Sequence, residues 1–140
     1  MTETSPTVPV PELLDANPVL RYLLADHPDQ FARAQVLIES DRRLRLSIVT
    51  LTEIGYVLTR VAGVPRADAV DALIALLERE NIEVHEIETD LAVQALTLCR
   101  PSGRVNFGDA MLWAVARASA ARVWTFDERF PVDGIESRRP

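Results

Sequence analysis

Residues 106–130 read NFGDAMLWAVARASAARVWTFDERF, and their pattern predicts a helix followed by a strand. Its first half repeats apolar residues at the spacing of one helix face: Phe107, Ala110, Met111, Ala114, Val115 and Ala118. Residues 121–126 have the length of a short buried strand. The helix carries the chain roughly 17 Å away from Asp109, and the strand brings it back by roughly 16 Å to Asp127. Antiparallel packing of the two therefore predicts that both acids lie at one edge of the fold.

The composition excludes several classes of protein. At 140 residues and 48% hydrophobic content, the chain can form one globular domain with a buried core. All 15 basic residues are arginine, so the lysine of a phosphate-binding loop and Schiff-base chemistry are both excluded. The net charge of −6 disfavours broad nonspecific binding of nucleic acid. It leaves open a phosphate substrate that is held through divalent cations.

Further sites and locations are disfavoured by what the chain lacks. It contains no GxGxxG motif, and His27 and His85 share no metal-ligand spacing with Cys99. No apolar run reaches the ~20 residues of a membrane helix, and the start does not resemble a signal peptide. One cysteine fits a reducing compartment, so we expect a cytoplasmic protein that does not contact a membrane.

The order of predicted elements indicates a parallel α/β fold. Residues 1–8 are expected to form a disordered tail, and residues 9–140 a single domain. Strands are predicted near 12–15, 46–49, 82–87 and 121–126, with a further edge strand near Ile135. Helices fill the intervals, and two of them are expected to start at an Asn17 N-cap and at a Thr50–Glu53 capping box. This alternation predicts a three-layer α/β/α sandwich with a four- to five-stranded parallel sheet.

Four acids are predicted to meet at the carboxyl edge of that sheet. Asp15 ends the first strand, Glu53 lies in the first turn after the second, and Asp109 and Asp127 were placed there above. Each has a simple structural explanation: a capping box for Glu53, a third-position helix acid under an Asn106 N-cap for Asp109, and turns for Asp15 and Asp127. Together they would repel one another, which opposes folding. A hard cation, Mg²⁺ or Mn²⁺, explains such a cluster better.

Four segments carry a resemblance to a known family. They are LLDANPVLRYLL (13–24), TLTEIGYVL (50–58), NFGDAMLWAVA (106–116) and TFDERF (125–130). In this order and spacing they resemble the PIN domain family, and most closely the VapC-type toxins of bacterial toxin–antitoxin pairs. The resemblance implies that Asp15, Glu53, Asp109 and Asp127 hold divalent metal. Thr125 and Asn17 match polar positions of the motifs, whereas Asn106 stands where many members carry a further acid.

The resemblance implies a metal-dependent endoribonuclease that cleaves RNA with metal-activated water and is bound by an antitoxin protein. Arg42, Arg43 and Arg45 are candidates for gripping phosphate, although a solvated face explains them equally well. The helices that start at Asn17 and Thr50 carry more apolar residues than one buried face needs, which predicts a homodimer and a peptide groove: Tyr22, Leu23, Leu24, Ile54, Val57, Leu58 and Val61. The same residues would also be explained by an ordinary core.

Three alternatives remain open at this point. One is a non-toxin PIN nuclease of RNA processing, and another is a catalytically degenerate PIN domain that binds protein, which Asn106 slightly favours. A phosphorelay receiver domain is a weak third because its usual lysine is absent. A metal-dependent cleavage assay separates the second alternative, and a short basic-N-terminal frame beside the gene would favour the toxin.

Overall fold

The computed structural model describes residues 10–140, so the predicted tail at residues 1–8 lies outside the described part. In chain order the elements are β1 (Glu12–Leu13), α1 (Ala16–Leu24), α2 (Pro28–Ile38), β2 (Leu44–Leu46), α3 (Ile48–Tyr56), a π-helical segment (Val57–Val61), α4 (Arg66–Leu77), β3 (Ile82–Val84), α5 (Thr89–Cys99), α6 (Phe107–Ser119), β4 (Arg122–Trp124) and β5 (Glu136–Arg138). Within residues 10–140, none of the helices combines the length and apolar character that crossing a bilayer requires.

The strands form two parallel groups. β1, β2 and β3 pair in that order in the main sheet, with Leu13 opposite Arg45 and Leu46 opposite Val84. β4 pairs with β5, and these two form a separate two-stranded sheet. The α/β class and the parallel pairing are thus confirmed, and a fifth strand does form after Ile135. One sheet of four or five strands is not confirmed. β1 provides few backbone groups for pairing with a further strand, because it has only two residues and follows Pro11, which has no N–H to donate.

The main-sheet strands are shorter than the sequence predicted. β2 covers 44–46 rather than 46–49, and β3 ends at Val84 rather than near residue 87. A helix or a polar loop follows each strand directly. Each strand therefore buries only two alternate residues: Leu44 and Leu46 in β2, and Ile82 and Val84 in β3. The carboxyl edge of the sheet therefore begins at Leu14, Ser47 and His85.

The first helix starts at a different cap from the predicted one. Asp15, not Asn17, is the N-cap of α1, and its Oδ1 accepts a hydrogen bond from the Ala16 N–H at 2.9 Å. Asn17 and Pro18 occupy the second and third helical positions. Proline is tolerated there because the first-turn N–H groups have no partner within the helix.

The predicted capping box at Thr50 is also wrong. Helix α3 starts at Ile48, and its N-cap Ser47 accepts a hydrogen bond from the Val49 N–H at 3.2 Å. Glu86, which follows β3, completes the cap by accepting from the Ser47 hydroxyl at 2.7 Å and from the Ile48 N–H at 3.0 Å. The first N–H groups of α3 therefore find acceptors in Ser47 and in the loop that follows β3. Glu53 moves into the second turn and is free of any capping duty.

Helix α3 is central to the packing, because it contacts both α1 and α6, while α5 packs on α4 and α6. Leu51 and Ile54 on its inner face are fully buried, and so is Leu58 in the π-helical segment that follows. Gly55 allows α6 to approach, since a Cβ at this position would lie 2.6 Å from the Phe107 ring. Phe107 is the first residue of α6, so this contact fixes where that helix begins.

Candidate active site

Asp15 lies just beyond β1, at the carboxyl edge of the main sheet, and its side chain is exposed. One carboxylate oxygen is engaged in capping α1, which leaves the other oxygen able to accept a ligand. Asn17, the second residue of the same helix, is also exposed. The structure therefore explains Asp15 as a helix cap without using up its capacity as a metal ligand.

Glu53 is exposed on α3 and lies close in sequence to the contact between α3 and α6. A Cβ on Gly108 of α6 would lie 3.9 Å from Cγ2 of Thr52. Glu53 follows Thr52 directly, as Asp109 follows Gly108. The backbones that carry these two acids thus pass close to one another.

Asp109 is the least exposed of the four acids and occupies the third position of α6. Asn106 caps the helix, and its Oδ1 accepts a hydrogen bond from the Asp109 N–H at 2.7 Å. Burial raises the pKa of the Asp109 carboxyl above its ordinary value, and the negative charge of Asp127 raises it further. A hydrogen bond from the Asn106 side chain offsets part of this rise in pKa. Asp109 is thus both a cap-position acid and an acid whose charge is penalised by its surroundings.

Asp127 is exposed in the loop after β4, and a compact turn holds it there. The Thr125 hydroxyl oxygen accepts a hydrogen bond from the Asp127 N–H at 3.0 Å, and Oδ1 of Asp127 accepts from the Arg129 N–H at 2.8 Å. Thr125 therefore positions the backbone of the acid. Asp127 is near enough to Asp109 for its negative charge to raise the pKa of that carboxyl.

The donor chemistry fits a hard divalent cation. Within residues 10–140, none of the four acids forms a salt bridge, although the chain has 15 arginines. Carboxylates without a cationic neighbour are the ligands that Mg²⁺ and Mn²⁺ prefer. In the same part of the chain, no three His, Cys, Asp or Glu side chains lie close enough to hold a metal ion. The charge of Asp127 acts on Asp109, whereas the described residues do not gather Asp15 or Glu53 with them into a group of three ligands.

The predicted phosphate-gripping arginines lie elsewhere. Arg42 and Arg43 precede β2, at the amino end of the sheet and opposite to Asp15. Arg42 pairs with Glu12 at 3.4 Å, and Arg45 within the strand pairs with Glu83 at 3.1 Å. Residues that precede a parallel strand lie at the amino end of the sheet, whereas the acids are expected at its carboxyl edge. These arginines belong to a solvated face, which was the alternative explanation.

Two other arginines, which the sequence did not single out, line a cleft beside Asp109. The cleft has a volume of about 380 Å³ and runs between α3, the π-helical segment and the start of α6. The guanidinium of Arg66 lies 5.0 Å from the centroid of the Phe107 ring and donates to the Cys99 carbonyl at 3.2 Å. Arg60 lines the same cleft. The i, i+4, i+7, i+8 spacing of Thr52, Tyr56, Thr59 and Arg60 was a signal for this shared face.

Comparison with known proteins agrees with this architecture. The profile of the PIN domain family matches residues 13–133, which is most of the chain. A search of curated proteins found no significant match. Domains of the matched family are generally nucleases, which hydrolyse phosphodiester bonds and typically depend on divalent metal. On the extent of this match, the chain belongs to the PIN domain family.

Proposed function

We propose that this chain is a Mg²⁺- or Mn²⁺-dependent endoribonuclease of the cytoplasm and the toxin of a toxin–antitoxin pair. The observation that carries the nuclease proposal is Asp109. It is partly buried at a helix start, the charge of Asp127 acts on it, and no salt bridge within the described residues compensates its own charge. An acid in that setting costs stability unless a cation joins it, as a PIN nuclease requires.

Each residue has a proposed role in that site. Asp109 and Asp127, with Asp15 and Glu53, would hold the ion, and the exposed side chains of Asp15, Glu53 and Asp127 are unrestricted by burial. When bound, such an ion supplies an activated water and stabilises charge on the oxygens of the phosphodiester.

The supporting residues act on the geometry of the acids. Asn106 holds the first turn of α6 in place by capping it, and Thr125 holds the Asp127 turn. Asn106 is neutral, so it adds no negative charge at a position where many members of the family carry a further acid. We therefore propose that the site depends on Asp127 to complete the ligand set.

The toxin assignment rests on the resemblance of the four segments to VapC-type toxins. The proposal also includes an antitoxin partner and a homodimer. Most of the apolar residues that predicted an interface serve the core instead: Ile54 and Leu58 are buried, and Tyr22, Leu23, Leu24 and Val57 are half-buried. Val61, however, is 70% exposed, and Val49 on α3 is 72% exposed. Sedimentation at micromolar concentration tests the dimer, and co-expression with a neighbouring short reading frame tests the antitoxin.

Cleavage of RNA with added Mn²⁺, Mg²⁺ or chelator tests the nuclease proposal. We expect cleavage by the wild type with either metal, no cleavage with chelator, and at least a hundredfold slower cleavage by Asp109→Asn. Asp68→Asn is the matched control, because Asp68 is an exposed acid at the third position of α4. If metal-dependent cleavage is absent, or if Asp109→Asn cleaves as fast as Asp68→Asn, the site assignment is wrong and the protein-binding alternative, which Asn106 favours, takes its place.

A further inference from the structure

The cleft beside Asp109 differs in charge from the rest of the protein. Arg60 and Arg66 line it together with neutral residues, and no carboxylate is among them: Thr52, Tyr56, Thr59, Asn106, Phe107 and Gly108. The chain as a whole carries a net charge of −6. The lining itself therefore carries two positive charges, which favour an anionic ligand. The acids Glu53 and Asp109 follow directly on the lining residues Thr52 and Gly108.

The two arginines differ in what they can do for a ligand. Arg66 is partly buried and committed, because it donates to the carbonyls of Cys99 and Val105 at 3.2 and 3.4 Å and covers the Phe107 ring. Arg60 is exposed and forms no salt bridge within residues 10–140. A guanidinium in that state can bind a phosphate through two parallel hydrogen bonds.

An aromatic ring stands one helical turn before Arg60. Tyr56 is 59% exposed although it belongs to the helix that forms the centre of the core. The π-helical turn follows it directly, with the Ala62 N–H donating to the Val57 carbonyl at 2.8 Å. Such turns occur frequently at functional sites. An exposed ring beside an exposed guanidinium is the combination on which an unpaired base stacks while its phosphate is held.

The cleft also shares residues with the candidate metal site. Asn106 and Gly108 line it, and Asp109 follows Gly108 in the same helical turn. Asn106 touches the acid's own backbone through the 2.7 Å hydrogen bond from the Asp109 N–H. A nucleotide in the cleft would therefore neighbour a phosphodiester that is held at Asp109.

We propose that this cleft binds one nucleotide of single-stranded RNA next to the bond to be cut, with the base on Tyr56 and a phosphate on Arg60. The proposal rests on the proposed nuclease function and adds to it the residues that hold the nucleotide next to the cut: Tyr56 for the base and Arg60 for the phosphate. A duplex would not serve, because its bases are stacked on one another and cannot reach the ring.

Fluorescence anisotropy with a labelled single-stranded RNA tests the proposal, in the Asp109→Asn background with Mg²⁺ so that the probe is not cut. We expect Arg60→Gln to weaken binding at least fivefold and to reduce the salt dependence of log K by about 0.7, the loss of one phosphate contact. Tyr56→Ala should weaken binding about fivefold or more, and Tyr56→Phe less than twofold, because a phenyl ring still stacks. The matched control is Arg33→Gln, which removes the same charge from the exposed face of α2 and should leave binding within twofold.

Three outcomes would overturn the proposal: Arg60→Gln and Tyr56→Ala binding RNA like the control, a duplex binding as tightly as the single strand, or Tyr56→Ala changing only the sedimentation of the protein. The last outcome would make the ring part of a protein contact. Cleavage by the otherwise unsubstituted enzyme is measured separately. Failure of that cleavage rejects the nuclease function, whereas cleavage with unaltered binding by the cleft variants rejects the nucleotide site alone.

Discussion

The replacement Asp109→Asn should raise the melting temperature when no divalent metal is present. Ionised Asp109 is penalised in the folded state by burial and by the charge of Asp127, as the direction of its pKa shift shows. Asparagine keeps the shape, removes the charge and can still accept a hydrogen bond. The variant should therefore be more stable than the wild type at neutral pH in chelator.

The opposing effect sets the size of the expected gain. Asp109 occupies the third position of α6, where an acid gains about 0.3–1 kcal/mol from the helix dipole. The variant melts higher if relief of burial and repulsion exceeds that amount. For a chain of this size, each kcal/mol of stability corresponds to roughly 3–5 °C in melting temperature. We therefore expect a higher melting temperature for the variant in chelator, with the increase set by the relief that remains after the dipole interaction is lost.

The difference should depend on pH with a defined sign. The folded-state pKa of Asp109 lies above its ordinary value of 3.8, so the cost of its charge is fully present at neutral pH and disappears as the pH falls through that raised pKa. The melting temperatures of wild type and variant should therefore converge as the pH is lowered towards 4. The control Asp68→Asn should melt lower than the wild type at pH 7, because it loses a dipole interaction and the attraction of Asp68 for Arg100.

Added metal should reverse the order of stability. A ligand of the native state stabilises by about 2.7 kcal/mol when present at 100 times its Kd. Wild type should gain on this scale with Mn²⁺ and Asp109→Asn much less. Differential scanning fluorimetry of both proteins, with Mn²⁺ and with chelator, measures all of this. A lower melting temperature for Asp109→Asn in chelator, together with an unchanged response to metal, would refute the reasoning and leave Asp109 as a helix-cap acid.

Three further predictions concern the structure around the site. Gly55→Ala should destabilise by about 1–3 kcal/mol in urea unfolding and should weaken the response to Mn²⁺, because its Cβ would meet the Phe107 ring at 2.6 Å and displace the start of α6; an unchanged midpoint would contradict that packing. Ser47→Ala should cost about 1 kcal/mol, since it removes the α3 cap and the partner of Glu86, yet should retain cleavage; loss of cleavage at full stability would place Ser47 in the site. Burial raises the pKa of the Cys99 thiol to about 11, so iodoacetamide at pH 8 should label the native protein far more slowly than the urea-unfolded one by mass spectrometry; equal rates would show that the thiol is accessible.

Features that depend on neighbouring residues could be predicted from the sequence alone. The apolar period of residues 107–118 predicted α6, and Asn106 with Asp109 three residues later predicted the cap that the structure contains. The alternation of helices and strands predicted a parallel α/β fold, which is confirmed. These features could be read directly because helix periodicity and caps involve residues within one or two turns of each other.

Features that depend on residues far apart in the chain became clear only from the fold. Ser47 rather than Thr50 caps α3, because Glu86, 39 residues after Ser47, contributes to the same helix start. The division of the strands into two sheets depends on which backbones find partners, and periodicity does not encode this. Asp127 raises the pKa of Asp109, and the Arg66 guanidinium lies over the Phe107 ring. Both effects join residues that are distant in sequence, so no local pattern could predict them. The acids could therefore be named from the sequence, while their electrostatics and the cleft beside them required the fold.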